Sequence, residues 1–152
     1  MFRIGIIGAG WIAHKMTLAL GYTDEACVYA IASRSEDKAR SFAEEHGIPM
    51  AYGSYEAMLD DPEVDLVYIA TPHSHHFAHA MLALEHGKPV LVEKAFTANA
   101  KEAKILIDTA RNKGLFITEA IWTRYMPLSH KVKELMESGI IGEPRLLTAT
   151  LC

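Results

Sequence analysis

Ile4-Gly5-Ile6-Ile7-Gly8-Ala9-Gly10-Trp11-Ile12-Ala13 decides the fold. Residues 4–7 read as a strand. A glycine turn follows, and then a helical pattern in which Ile12, Met16, Ala19 and Leu20 recur at a period near 3.6. A strand that turns through G-x-G-x-x-A into a helix is the context in which that pattern carries meaning. Gly8 allows the tight turn, Gly10 removes a Cβ so that backbone can approach a pyrophosphate, and Ala13 keeps helix and strand close. The free N–H groups of the first helical turn, at Trp11 and Ile12, then face an anion. The stretch predicts the phosphate loop of a dinucleotide-binding domain.

Outward from that loop, short apolar runs alternate with longer amphipathic ones. Strands are expected at 4–7, 27–33, 50–52, 64–70, 90–92 and 115–118. Between them five helices are expected. The first covers 11–20. The second covers 36–46, capped by Ser35 and stopped by Gly47. The third is capped by Ser54 and ends at Leu59. The fourth is capped by Ser74 or Thr71, runs to His86 and stops at Gly87. The fifth opens on Asn99-Ala100-Lys101-Glu102, which has the form of a capping box, and ends at Gly114. Strand–helix alternation with continuously apolar strands predicts an α/β fold, a doubly wound parallel sheet of the Rossmann type.

From about residue 121 the pattern changes. Residues 121–126 read as a loop, Pro127 opens a helix to about Ser138, and Gly139 ends it. Residues 140–144 read as a turn and 145–152 as a strand without a partner nearby in sequence. The expectation is a Rossmann domain over 1–120, followed over 121–152 by the beginning of a truncated α+β C-terminal domain.

Composition narrows the function. The 152 residues are 50% hydrophobic and 22% charged, which suits a folded domain with its own core. A formal charge of -4 offers no field for gathering nucleic acid or an anionic membrane, so neither partner is expected. Cys27 sits in an apolar run and reads as a core residue, and Cys152 stands apart from it. No disulfide framework is implied, and no apolar run approaches the about 20 residues of a membrane span. Together these predict a cytoplasmic protein.

The end of the second strand chooses the cofactor. NAD-binding domains place an acid there, about 20 residues beyond the glycine turn, to hold the ribose 2′-hydroxyl. This strand ends Ala32-Ser33-Arg34-Ser35. Ser33 can donate to a 2′-phosphate, Arg34 can pair with it and stack on adenine, and Lys38 lies one helical turn on. The reading is NADP rather than NAD, with Glu36 and Asp37 nearby opposing it.

The fourth strand ends Ala70-Thr71-Pro72-His73-Ser74-His75-His76, at the edge where doubly wound sheets bind ligands. His73, His75, His76 and His79 invite a metal reading, but Pro72 and helical geometry spread them over different faces and no nearby cysteine or carboxylate completes a set. No metal is expected, and Thr71, Pro72, His73 and His76 are assigned to the wall of the cofactor cleft. The fifth strand ends Val92-Glu93-Lys94-Ala95. A lysine at the mouth of that cleft could exchange a proton with a substrate hydroxyl, as general acid–base catalysis requires.

Gly8 to Ala13, Thr71-Pro72 with His76, and Glu93-Lys94 resemble the glucose-fructose oxidoreductase / inositol dehydrogenase / MocA family. Glu119-Ala120-Ile121-Trp122-Thr123-Arg124-Tyr125, with Ala51-Tyr52-Gly53-Ser54-Tyr55, is similar to its dimeric dihydrodiol dehydrogenase and NADP-linked D-xylose dehydrogenase branch. The resemblance implies hydride transfer between a nicotinamide cofactor and the carbon of a sugar or diol hydroxyl. It implies Lys94 beside that hydroxyl, Glu93 and Lys94 at the cofactor, and Trp122 and Arg124 bordering nicotinamide and substrate. A C-terminal domain with a large open sheet would bind substrate and build a homo-oligomer, and would carry the second catalytic residue. Where the family has Glu-Lys-Pro, this chain has Glu93-Lys94-Ala95. Proline restrains the residue before it, so Ala95 is expected to leave Lys94 less rigidly aimed. The leading expectation is therefore an NADP-dependent dehydrogenase of which these residues form the cofactor half. The alternative is a protein of the same fold that senses a nucleotide or sugar without catalysis.

Overall fold

Along β1 (Phe2–Ile7) the side chains of Ile4 and Ile6 enter one core while Ile7 enters another. The same split recurs on β4 (Leu66–Ile69), where Leu66 and Tyr68 face one way and Val67 and Ile69 the other. A strand buried on both faces has to be apolar at successive positions, which is why these runs do not alternate with polar residues. A computed structural model describes residues 1–150. It places β1 and β4 at the middle of a six-stranded sheet with β2 (Ala26–Ala32), β3 (Met50–Tyr52), β5 (Val90–Val92) and β6 (Ile117–Glu119). The order is β3-β2-β1-β4-β5-β6 and every pairing is parallel.

Parallel neighbours need crossovers, and five helices supply them. Helices α1 (Trp11–Leu20) and α2 (Glu36–His46) give Ala13, Phe42 and Ala43 to the core that holds Ile4 and Tyr68. Helices α3 (Tyr55–Leu59), α4 (His76–Glu85) and α5 (Ala100–Lys113) give Met58, Ala80, Leu84 and Leu106 to the core on the other face. The sheet is doubly wound, as the sequence pattern predicts. The chain divides after Ala120. Within residues 121–150 a 3-10 turn over Trp122–Tyr125 stands where a plain loop is expected, and α6 covers Pro127–Glu137.

Helix ends fall where local chemistry sets them. Ser35, Ser54 and Asn99 each accept a backbone N–H from the residue three further on. At α5 the return bond of the capping box is displaced by one residue: Glu102 accepts from the Ala98 amide, at 3.2 Å. The start of α4 departs from expectation. Neither Ser74 nor Thr71 caps it, and a 3-10 turn over His73–His75 precedes it, closed by the His75 amide on the Pro72 carbonyl at 2.8 Å. Residues 145–150 are not a strand. The last two residues of that expected strand, Leu151 and Cys152, lie outside the described residues. Cys27 is half-buried rather than a core residue. Among the described residues no helix is long and apolar enough to cross a membrane.

The Asn99 cap gives a direct check on this account. Asn99→Ala should cost about 1 kcal/mol in urea denaturation, whereas Asn99→Gly should cost only a few tenths. Equal losses in the two variants would remove the cap from the account.

Candidate functional site

The sheet order puts β1 beside β4, whose following helices leave to opposite faces, so a crevice opens at the carboxyl ends of these two strands. Gly8 forms its floor. Its φ is +104°, which L side chains rarely adopt, and a Cβ there would lie 2.9 Å from the Ala70 carbonyl oxygen and 3.0 Å from Thr71 Cγ2. Gly10 differs. It caps α1 in an extended conformation, and a Cβ built on it meets nothing within 4 Å. The space beside Gly10 is therefore open rather than filled by protein. No side chain caps α1, and no acid lies in its first turn. The positive end of the helix faces that space without a partner.

The crevice has a volume of about 250 Å³. Gly8 and Gly10 line it from β1, and Thr71 and Pro72 from β4. Ser33, Arg34 and Lys38 line the side reached from β2. Ser33 is buried, with its amide on the Tyr52 carbonyl at 3.1 Å, while Arg34 and Lys38 are exposed cations. The Glu36 carboxylate is engaged with Arg40 at 2.6 Å.

The lysine loop is built by side chains from several elements. Glu93 takes the Tyr68 hydroxyl on one carboxylate oxygen and the Lys94 amide on the other, the latter at 3.0 Å. Burial, then the hydrogen bond to Glu93 and its negative charge, hold the Tyr68 phenol protonated far above its ordinary range. His73 Nε2 meets the Lys94 carbonyl at 2.8 Å, and His76 Nδ1 meets the Ala95 carbonyl at 2.8 Å. Glu119, at the end of β6, accepts the Phe96 amide at 2.7 Å. The Lys94–Ala95 peptide is cis. The hydrogen bonds from Glu93, His73, His76 and Glu119 restrain the loop backbone on both sides of Ala95. Lys94 itself is exposed.

His76 is fully buried. Its side chain does not line the crevice; it joins the two loops that flank it, because Nε2 also meets the Thr71 carbonyl at 2.8 Å. Both partners are backbone carbonyl oxygens, so the ring bridges the two loops. One turn along α4, His79 Nδ1 pairs with the Thr71 hydroxyl at 3.0 Å, and its ring meets Tyr55 edge-on. Burial, then the charges of His75, Arg34 and His76, push the His79 imidazole below its ordinary range, with Glu56 acting the other way.

Seven of the expected residues meet at the crevice: Gly8, Gly10, Ser33, Arg34, Lys38, Thr71 and Pro72. Trp11 is exposed at the start of α1, and Ile12 packs into the core beneath it. His73, His76 and Glu93 act on the lysine loop instead. Trp122 and Arg124 lie beyond Ala120, in the 3-10 turn, and both are exposed. Sequence reasoning missed Tyr55 and His75, which line the crevice, His79, which pairs with Thr71 in its wall, and Tyr68 and Glu119, which support the lysine loop. Position supplied one usable signal: Tyr68 is the lone hydroxyl in an otherwise aliphatic strand.

Residues 2–120 match the model of the GFO_IDH_MocA family, described as an oxidoreductase family with an NAD-binding Rossmann fold. The trans-1,2-dihydrobenzene-1,2-diol dehydrogenase of Danio rerio is 40% identical over 149 residues, which are 97% of this chain and 45% of that protein. The D-xylose 1-dehydrogenase (NADP(+)) of Hypocrea jecorina is 60% identical over 91 residues, 60% of this chain and 23% of that protein. A 3-ketoreductase mutant from Actinomadura kijaniata, solved with TDP-benzene and NADP, superposes with a TM-score of 0.85 at 34% identity, over 95% of this chain and 46% of that one. The chain spans less than half the length of the curated relatives it matches.

The ionisation of His79 can be tested without a ligand. Its unfolded value is about 6.5 and its folded value is lower. Below pH 6.5 the unfolded chain therefore binds a proton that the folded chain does not, and stability falls as the pH drops through that window. Urea midpoints at pH 7.5 and 5.5 should differ more in the wild type than in His79→Gln. An equal difference in the two proteins would contradict the assignment.

Proposed function

The chain belongs to the GFO_IDH_MocA family of oxidoreductases with an NAD-binding Rossmann fold, and on that premise we propose that it forms the cofactor-binding half of an NADP-dependent dehydrogenase acting on a sugar or diol hydroxyl. The observation that carries the reading is one crevice joining an uncapped helix start beside the open space at Gly10 to Ser33, Arg34 and Lys38. Backbone N–H groups and a helix dipole suit a pyrophosphate. A serine and two cations at the end of β2, where NAD-binding domains carry an acid, suit a 2′-phosphate. The relatives named above supply the substrate class: one acts on a dihydrodiol, another on D-xylose with NADP.

The nicotinamide, when bound, carries the hydride. This chain's residues do the rest. Gly8 and Gly10 let backbone approach the phosphates, and Arg34 with Lys38 neutralises the extra charge that separates NADP from NAD. Lys94 Nζ passes a proton to or from the substrate hydroxyl oxygen. Glu93, His73, His76 and Glu119 hold its backbone while that happens. On this reading residues 1–120 are the nucleotide-binding domain. Residues 121–152 open a domain that completes the substrate pocket, brings Trp122 and Arg124 to it and forms a homo-oligomer. Two cysteines outside any C-x-x-C pair fit a cytoplasmic setting.

Calorimetric titration of the chain with NADPH and NADH tests the cofactor assignment. NADPH should bind more tightly, and Arg34→Ala should remove about 2 kcal/mol of that binding, roughly thirtyfold, while leaving NADH affinity almost unchanged. Preference for NADH in the wild type would overturn the role of Arg34. In the protein carrying its substrate domain, Lys94→Ala should abolish oxidation of D-xylose or a dihydrodiol while NADPH binding stays within about twofold. Retained turnover would remove Lys94 from the chemistry.

A further inference from the structure

His14 on α1 and His46 at the end of α2 are 32 residues apart in sequence, yet His14 Nδ1 lies 3.1 Å from His46 Nε2. The Glu45 carboxylate is 3.7 Å from the same His46 nitrogen, and one ligand atom from each of the three residues falls within 4.8 Å of the others. We propose that His14, His46 and Glu45 form a divalent metal site suited to zinc, which ties α1 to the end of α2.

The spacing supports this. A tetrahedral zinc ion with bonds of about 2.0–2.1 Å sets its ligand atoms about 3.3 Å apart, close to the two shortest separations here. The donor set is two imidazoles and one carboxylate. That is a mixed nitrogen–oxygen set which zinc accepts and which the oxygen-seeking cations magnesium and calcium do not prefer. Three protein ligands leave a fourth position for water.

The rings are held before any ion arrives. His46 has a side chain only 8% exposed and packs on Phe42, with ring centroids 4.5 Å apart. His14 stacks on Trp11, with planes 17° from parallel. Glu45 is exposed and closes the site from the solvent side. The carboxyl end of α2, where His46 sits, carries the negative end of the helix dipole and favours a cation. A neutral imidazole offers one ring nitrogen lone pair, so each ring can ligate through the nitrogen that faces the other. The site is separate from the glycine-loop crevice and does not depend on the proposed dehydrogenase function.

Trp11 makes the site observable. Zinc chloride titrated into the chain in a non-chelating buffer should bind once per chain by calorimetry, with a change in tryptophan fluorescence that EDTA reverses. His14→Ala and His14→Gln should each lower the affinity at least a hundredfold and Glu45→Gln about tenfold, with circular dichroism confirming that each variant folds. His75→Ala, which alters another close histidine pair (His75 and His79, centroids 5.5 Å apart), should bind zinc as the wild type does. Absence of a one-to-one event, wild-type affinity in either His14 variant or in Glu45→Gln, or loss of binding in His75→Ala would overturn the proposal.

Discussion

The close approach of Gly8 to the end of β4 is the constraint on which the site rests. The backbone turns there with φ at +104°, and the place a Cβ would take lies 2.9 Å from the Ala70 carbonyl. Two consequences follow. The chain leaves β1 sharply enough for α1 to start at the strand end, with no side chain among the described residues capping it. The β1 turn and the β4 loop also become two walls of one crevice, because β1 and β4 are neighbours in the sheet. Everything assigned to phosphate recognition depends on these two walls meeting.

The second wall is connected to the lysine by hydrogen bonds rather than by chain continuity. His76 reaches from α4 to both the Thr71 and the Ala95 carbonyls, and it does so from full burial, where an unpaired polar group would be costly. Tyr68 and Glu119 add contacts from β4 and β6. The loop that presents Lys94 is therefore held by side chains from neighbouring segments of the fold. A shift at the end of β4 would pass through His76 to the lysine loop.

Local features were legible in the sequence and long-range ones were not. Ser35, Ser54 and Asn99 cap the helices that follow them because a cap depends on residues three positions apart. The double winding of the sheet was legible too, since a strand apolar at successive positions has a helix layer on each face. The start of α4 was misread because its polar side chains have other partners: the Thr71 hydroxyl goes to His79, and Pro72 precedes a 3-10 turn that no side chain caps. The support of Lys94 was hard to read: the lone hydroxyl of Tyr68 marks its strand, but its partner Glu93 is 25 residues away and meets it only across the sheet. The expected strand at 145–152 failed where described because its pattern names no partner, and pairing rather than pattern makes a strand.

The central claim is that the space beside Gly10 belongs to a cofactor phosphate and not to the protein. Gly10→Ala separates the two. A Cβ at residue 10 touches no protein atom within 4 Å, so the variant should fold, with its urea midpoint lowered by no more than the cost of Ala for Gly at a helix N-cap, under about 1 kcal/mol. The same methyl would enter the phosphate's place, so NADPH affinity measured by calorimetry should fall at least tenfold. Wild-type NADPH affinity in a folded Gly10→Ala variant would contradict the account.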